Sequence, residues 1–345
     1  MLPRLNLIAW NNGVGLTRDL ALLASALRSR GFTVHVTAIG RGKLRKWFRP
    51  LVMTWRGRLR KLVMRRPAHD VNIMLEHVRR EDLGSAVATL FIPNPEWCVP
   101  VDVERLPLVQ GVLAKTRHAE AIFAARGLWT RYIGFTSEDR FDPAVKRERT
   151  FFHLAGRSVN KGTNVLIEAW KRHPEWPQLV IVQSPRTATT IDPPVSNITH
   201  RIDYIDDVEL RNLQNASRVH VCCSETEGFG HYLVEAMSVG AFVLTTDGAP
   251  MNELVDETRG ICVPCNRTGS QHLATTYFVD EAALEAAIER ALAMSDEELD
   301  ATGAAARAWY LQNDAAFPDR LRTAIDAFTA DVLHRAAVEP QPAHS

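Results

Sequence analysis

Residues 224–240, Ser224-Glu225-Thr226-Glu227-Gly228-Phe229-Gly230-His231-Tyr232-Leu233-Val234-Glu235-Ala236-Met237-Ser238-Val239-Gly240, decide how this chain is read. The run before them, 218–223, is short and mostly apolar, as a buried strand is. After the glycines, 232–239 carries apolar residues at helical spacing, and Gly240 is a natural stop. The order is therefore strand, glycine loop, helix. Such an order turns backbone N–H groups at a helix N-terminus toward a phosphate or a sugar hydroxyl. Glu227 lies on the loop and Glu235 about two turns into the helix. A carboxylate accepts hydrogen bonds from two vicinal hydroxyls, so the pair suits two sugar rings of one ligand.

A Glu-x7-Glu spacing alone means little. With its glycines, its helix and the following strand 241–246 and Asp247-Gly248, it resembles the donor-site signature of the retaining family-4 (group 1) glycosyltransferases, whose fold is GT-B. A second stretch points the same way. Gly156-Arg157-Ser158-Val159-Asn160-Lys161-Gly162 is similar to the family's Gly-Arg…Lys-Gly loop, where the two cations grip the donor diphosphate. Here they stand slightly closer than is usual in the family. A guanidinium and an ammonium on a helix-entry loop make a good diphosphate clamp. The resemblance implies an α/β fold class: two Rossmann-like domains facing a central cleft, with a C-terminal helix crossing back to the first. The domains expected are 1–149 on the acceptor side, 150–320 for the nucleotide sugar, and 321–345 for the crossing helix and a frayed tail.

The 345 residues suffice for two domains, and a net charge of +1 gives no general reason to expect nucleic-acid binding. That average hides an asymmetry. Residues 41–66 hold eleven basic and no acidic side chains, interleaved with Trp47, Phe48, Leu51, Val52, Trp55 and Leu59. The rest of the chain, with 30 basic against 40 acidic residues, is net −10. Such a stretch suits an anionic membrane surface; a solvated loop with its aromatics packed on the domain, or contact with a phosphate-rich acceptor, are the other readings. Five cysteines are too few and scattered for a disulfide framework, and Cys262-Val-Pro-Cys265 reads as strand-end core rather than a redox pair. With no apolar signal segment and no long apolar run, the expected setting is cytoplasmic, peripheral on the inner face of the plasma membrane if 41–66 binds lipid.

The chain opens with strand 5–10, a loop containing Gly13 and Gly15, a helix capped by Thr17, and strand 32–38. No acidic residue ends that second strand, which counts against a dinucleotide cofactor. Further strands are expected at 69–75, 90–93, 108–114 and 130–135, with Glu76, His77, Asn94, Glu96, Lys115 and Thr116 at strand ends, where open α/β sheets bind ligands. Residues 146–149 read as a charged linker, 206–210 as a helix start, and 281–294, 296–312 and 315–337 as three helices.

Site roles follow from the resemblance. Arg157 and Lys161 stabilise the departing diphosphate in place of a metal ion, so neither a metal nor a cofactor is expected and a nucleotide-diphosphate sugar is the co-substrate. Glu235 holds the ribose, while Glu227, Gly228, Phe229 and Gly230 hold the donor sugar. Tyr204 and Ile205 pack on the base, and Gly13 and Gly15 lie near the phosphates. His77, or less directly His118, contacts the sugar or a glycan or lipid-linked acceptor; a structural histidine is the other reading of either. In the family, the acceptor attacks on the leaving-group face and a donor phosphate oxygen takes its proton. An epimerase on the same fold, a silent membrane-bound scaffold and an NAD oxidoreductase are the rival readings.

Overall fold

The computed structural model describes residues 2–333 except 12, 14, 41–47, 50, 56–58, 60–66 and 189. Most of the basic stretch 41–66, and the C-terminal tail from 334, therefore lie outside the described residues. The chain divides into two units, 1–135 with 315–345, and 136–314.

The first unit carries β1 (Leu5–Trp10), α1 (Gly15–Ser29), β2 (Val34–Ile39), β3 (His69–Leu75), β4 (Ala86–Ile92), α2 (Pro100–Arg105), β5 (Gly111–Ala114), α3 (Arg117–Ala124) and β6 (Thr130–Tyr132). Among the described residues its strands form one six-stranded sheet, ordered β2-β1-β3-β4-β5-β6, and every pairing is parallel. Leu5, Leu7, Ile8, Val71, Ile73, Leu90, Phe91, Val112 and Leu113 are all buried, the near-continuous apolar strand pattern that a sheet covered on both faces requires. The strand order reverses between β1 and β3.

The second unit begins with β7 (Glu148–Gly156), α4 (Thr163–Arg172), β8 (Leu179–Gln183), β9 (Ile198–Arg201) and α5 (Asp207–Ala216). There follow β10 (Ser217–Cys222), α6 (His231–Ser238), β11 (Phe242–Thr246), α7 (Met251–Leu254) and β12 (Gly260–Val263). The hairpin strands β13 (Cys265–Gln271) and β14 (Ala274–Val279) precede α8 (Glu281–Ala293) and α9 (Asp296–Phe328). The main sheet is again parallel and six-stranded, ordered β12-β11-β10-β7-β8-β9, the doubly wound order with its reversal between β7 and β10. Its core packs Phe151, Trp170, Trp176, Val221, Leu244 and Ile288, with Phe151 edge-on to Trp170 at 5.2 Å.

Several local expectations change. Helix α1 starts at Gly15; the Thr17 hydroxyl instead accepts the Gly13 N–H and donates to the Asn11 side chain, both at 2.9 Å. The charged residues at 146–149 are no free linker. Strand β7 already begins at Glu148, and Arg149 is held by Asp296 and by the Leu292 and Met294 carbonyls. Gly162, not Thr163, caps α4, and the Thr163 hydroxyl is hydrogen-bonded to His153 at 2.9 Å. The two helices expected at 296–312 and 315–337 are one helix through Phe328, with Pro318 inside it. No glycine stands at 313–314 to stop the helix, and it carries Pro318 within it although proline there loses a backbone bond and crowds the carbonyl four residues back. This helix runs through both units: residues to 314 count with the second and those from 315 with the first. The units meet in sequence at Phe135/Thr136, earlier than the 149/150 boundary drawn from composition.

Candidate active site

At the reversal point of the second unit, β7 leads into 156–162 and β10 into 223–230. Both loops emerge at strand carboxyl ends, where doubly wound sheets bind ligands. The two approach very closely. Gly162 sits at φ +67°, and a Cβ there would overlap the Cys223 carbonyl oxygen. Lys161 is thereby brought onto Glu227: its Nζ donates to Glu227 Oε1 and lies 3.6 Å from the Tyr232 ring centroid. Glu227 Oε1 also accepts the Ser224 hydroxyl at 2.5 Å, and Ser224 is tied to Tyr232 Oη at 2.6 Å. Burial pushes the Tyr232 phenol well above its ordinary range, so it stays a neutral donor. The Thr226 hydroxyl, one residue before Glu227, is buried without a hydrogen-bond partner.

Gly230 caps α6 with φ +100°, a left-handed geometry natural to glycine. Gly228 and Phe229 are buried beside it. Arg157, on the same loop as Lys161, is exposed. Glu235 has a hydrogen-bond partner from another helix. It is only 3% exposed, and its Oε2 accepts Gln214 Nε2 at 2.9 Å. Gln214 in turn accepts Arg140 Nε at 3.0 Å, and Arg140 pairs with Asp207 at 2.8 Å. Tyr204 stands 88% exposed on the approach to α5, with Ile205 half-buried after it.

The hairpin β13–β14 fastens these loops. The Tyr277 N–H donates to the Glu225 carbonyl at 2.7 Å, and the Glu225 N–H to Asn160 at 2.9 Å. Asn160 Nδ2 donates to Gln271 Oε1 at 2.7 Å. The Tyr277 ring lies so close over Gly248 that any Cβ there would overlap it. A groove of about 480 Å³ opens alongside, lined in part by Asn164, Gln183, Glu225 and Arg267; burial raises the Glu225 carboxyl above its usual range.

In the first unit, the loops leaving β1 and β3 hold the remaining candidates. Gly13 is exposed with φ +70°, and Gly15 opens α1. His77 Nδ1 faces Asp102 Oδ2 at 2.7 Å, and its Nε2 lies 3.6 Å from Glu76 Oε2. Asp102 is 1% exposed and also accepts the Val78 N–H at 2.9 Å. An imidazole oriented by a buried carboxylate on one nitrogen presents the other to a ligand. Lys115 is buried on Asp19 at 3.1 Å, which removes it as an open ligand group. Burial lowers the His118 imidazole pKa and keeps it neutral.

Residues 135–309, about half of the chain, match the family model described as glycosyl transferases group 1. The chain belongs to the group 1 glycosyltransferases. No curated protein matches it significantly. Among solved structures, a glycosyltransferase from Rickettsia africae superposes with TM-score 0.68 at 15% identity, over 95% of this chain and 98% of that one. Sucrose-phosphate synthase from Thermosynechococcus elongatus gives 0.65 at 17%, over 97% and 99%. Anabaena Alr3699/HepE, solved with UDP and glucose, gives 0.63 at 15%, over 95% and 100%. Such identities establish a shared fold.

This glycosyltransferase also holds features that motif reading missed. Asp102 and Gln214 support the candidates His77 and Glu235 from 25 and 21 positions away in sequence, and Tyr277 holds Glu225, two residues before Glu227, from 52 positions away, beyond any short motif. Burial pushes the Cys223 thiol up to about 12 and the half-buried Cys262 and Cys265 thiols up to about 11, disfavouring the thiolate. The last two point at different carbonyls, those of Val255 and Asp247. Among the described residues, one group with metal-ligand atoms within 4.8 Å of each other, His173, Glu175 and Glu289, was not foreseen. It is largely exposed, and Glu289 already accepts the Trp176 indole N–H at 2.6 Å.

Proposed function

We propose that this enzyme moves a sugar from a nucleotide-diphosphate sugar to an acceptor hydroxyl with retention at the anomeric carbon, and without a metal ion. The observation that carries this reading is the meeting of Lys161 and Glu227, 66 residues apart in sequence, at the reversal point of a doubly wound sheet. A cation for the leaving phosphate and a carboxylate for the sugar hydroxyls are the two groups this transfer needs side by side. Arg157 and Lys161 take up the charge that grows on the diphosphate as its bond to the anomeric carbon breaks. The acceptor oxygen forms the new bond on the same face, and its proton passes to a phosphate oxygen. No enzymic nucleophile is required. Glu227 exchanges its contact with Lys161 for the donor sugar, Glu235 takes the ribose from beneath, and Tyr204 covers the base. That two solved proteins of this fold, Anabaena Alr3699/HepE and pneumococcal GtfA, hold UDP or UDP-glucose supports a nucleotide sugar as donor.

Replacing Arg157 and Lys161 together by alanine is expected to lower kcat by orders of magnitude, since one such electrostatic group is worth on the order of 3 kcal/mol in a transition state. Glu235→Ala should mainly raise the donor KM. The check is turnover with a nucleotide sugar selected by thermal shift at ~100-fold excess over Kd, where binding adds about 2.7 kcal/mol. Unchanged turnover in the double variant would remove the clamp. Epimerised donor in the absence of acceptor would favour the epimerase reading instead.

A membrane-facing role for the first unit has its own support. Residues 51–55 are helical, and Phe48, Leu51, Val52, Trp55 and Leu59 are 50–68% exposed at helical spacing. Arg49 anchors this segment through Asp82 at 2.9 Å and Glu81 at 3.2 Å. An apolar stripe in a stretch of basic residues fits an anionic lipid surface and a lipid-linked acceptor. No described helix is long and apolar enough to cross a membrane.

A further inference from the structure

The first unit's sheet reverses between β1 and β3, so its own ligand position lies beyond the carboxyl ends of these strands. Trp10 ends β1, and Glu76, His77 and Arg79 follow β3. The guanidinium of Arg79 lies 5.2 Å from the Trp10 ring centroid, yet its Nε and Nη2 are buried with no hydrogen-bond partner. The acids near it are committed elsewhere. Asp82 takes Arg49 Nη2 on both oxygens at 2.9 Å, and Glu81 takes Arg49 Nη1 at 3.2 Å. Asp102 receives the Val78 N–H and faces His77. Burial pulls the Arg79 pKa down in spite of these carboxylates.

Buried charged donors are ordinarily paired, because leaving them unpaired forfeits their hydration without return. A second unpartnered atom stands on the adjoining strand end. Leu75 of β3 pairs in register with Ile92 of β4, and Asn94, two residues on, has its Oδ1 buried and unbonded. Directly after Leu75, Glu76 holds φ +65°, a conformation that side-chain-bearing residues adopt rarely.

We propose that this rim is an oxyanion subsite: Arg79 receives a phosphate or carboxylate of the acceptor, and Asn94 accepts a hydroxyl beside it. Calling the ligand an acceptor rests on the transferase reading above; the anion site itself does not. A two-pronged guanidinium suits an oxyanion, and one whose Nε and Nη2 are already out of water binds it at a smaller further desolvation cost.

The test uses the full-length Arg157→Ala/Lys161→Ala protein, so that the donor clamp cannot contribute. Inorganic phosphate is expected to bind this parent by calorimetry and to raise its Tm; adding Arg79→Met should abolish both effects. Arg79→Lys, which keeps the charge and loses the fork, should weaken binding several-fold. In phosphate-free buffer Arg79→Met should melt no lower than its parent, since it removes an unpaired buried cation; a purely structural arginine predicts the opposite. Equal phosphate binding by Arg79→Met, no phosphate binding by the parent, or a large drop in Tm without phosphate would each overturn the subsite. Phosphatidylglycerol vesicles run beside phosphate separate the sources: a loss of vesicle binding in Arg79→Met points to a lipid headgroup, and unchanged vesicle binding to a soluble ester. If phosphate binding depends on Arg79 but no nucleotide sugar is ever turned over, the transferase reading fails and the subsite stands.

Discussion

Glu227 and Lys161 touch because Gly162 lets two loops come within a carbonyl's width of each other. At φ +67° with the Cys223 oxygen in the way of any Cβ, Gly162→Ala adds a left-handed backbone cost of roughly 1–2 kcal/mol to an outright overlap. The expected result is a fall in unfolding free energy of about 2 kcal/mol or more, together with loss of nucleotide-sugar binding. A urea melt and a thermal-shift titration check it, and a variant as stable and as active as its parent would show that the two loops are not packed this way. This residue was legible from sequence as part of a Gly-Arg…Lys-Gly loop. So was the Glu227–Glu235 pair, since both depend on local order around glycines. Asp102 and Gln214 were not legible: each acts as a hydrogen-bond partner of a residue distant in sequence, and an Asp or Gln at a helix surface carries no mark of whom it faces.

Among the elements, the central strands β7 and β10 each bury a histidine. His153 donates from Nδ1 to the Val221 carbonyl at 2.7 Å and accepts the Thr163 hydroxyl at Nε2; His220 donates from Nε2 to the Gln214 carbonyl at 2.9 Å. Burial lowers both from the ordinary 6.5 to about 4. Below pH 6.5 the unfolded chain therefore takes up protons that the folded unit refuses, so stability is present above that pH and is lost as pH falls from 6.5 toward 4. The expected drop between pH 7 and pH 5 is on the order of 3 kcal/mol for the two together, read as a lower urea midpoint; a midpoint that does not move would mean that the imidazoles are not held neutral. The buried parallel strands were foreseeable from their apolar runs. The hairpin β13–β14 was not, because Cys-Asn-Arg-Thr-Gly-Ser-Gln is polar on both faces and shows no alternation to betray a strand. Its pairing is stabilised by contact with the site loops rather than by a core of its own.

Over the whole molecule, charge is unevenly spread, with an excess of basic residues at 41–66 and of acidic ones elsewhere. Trp55→Glu with Leu51→Glu is expected to cut sedimentation with phosphatidylglycerol vesicles at least several-fold, and added salt should weaken the parent's binding as well. Vesicle binding indifferent to both would remove the membrane reading. The two-unit division is also only partly written in the sequence: composition marks a boundary near 149/150, whereas the fold uses Phe135/Thr136 and Asp314/Ala315. The first unit is built from both ends of the chain, with Phe135 against Phe317 at 5.1 Å and Trp129 against Phe328 at 5.2 Å. Residues 1–135 alone should therefore fail to give a cooperative melt, whereas 136–314 should give one and keep its affinity for nucleotide.

The Thr136 hydroxyl donates to Asp314 at 2.7 Å, so the second unit enters and leaves through one doorway. Along the chain it is an insert, bracketed by two stretches of the first unit that meet at Phe135 and Phe317. A short glycine bridge from Phe135 to Ala315 could rejoin those stretches, and the excised piece could be exchanged for the corresponding piece of another family member as a single cartridge.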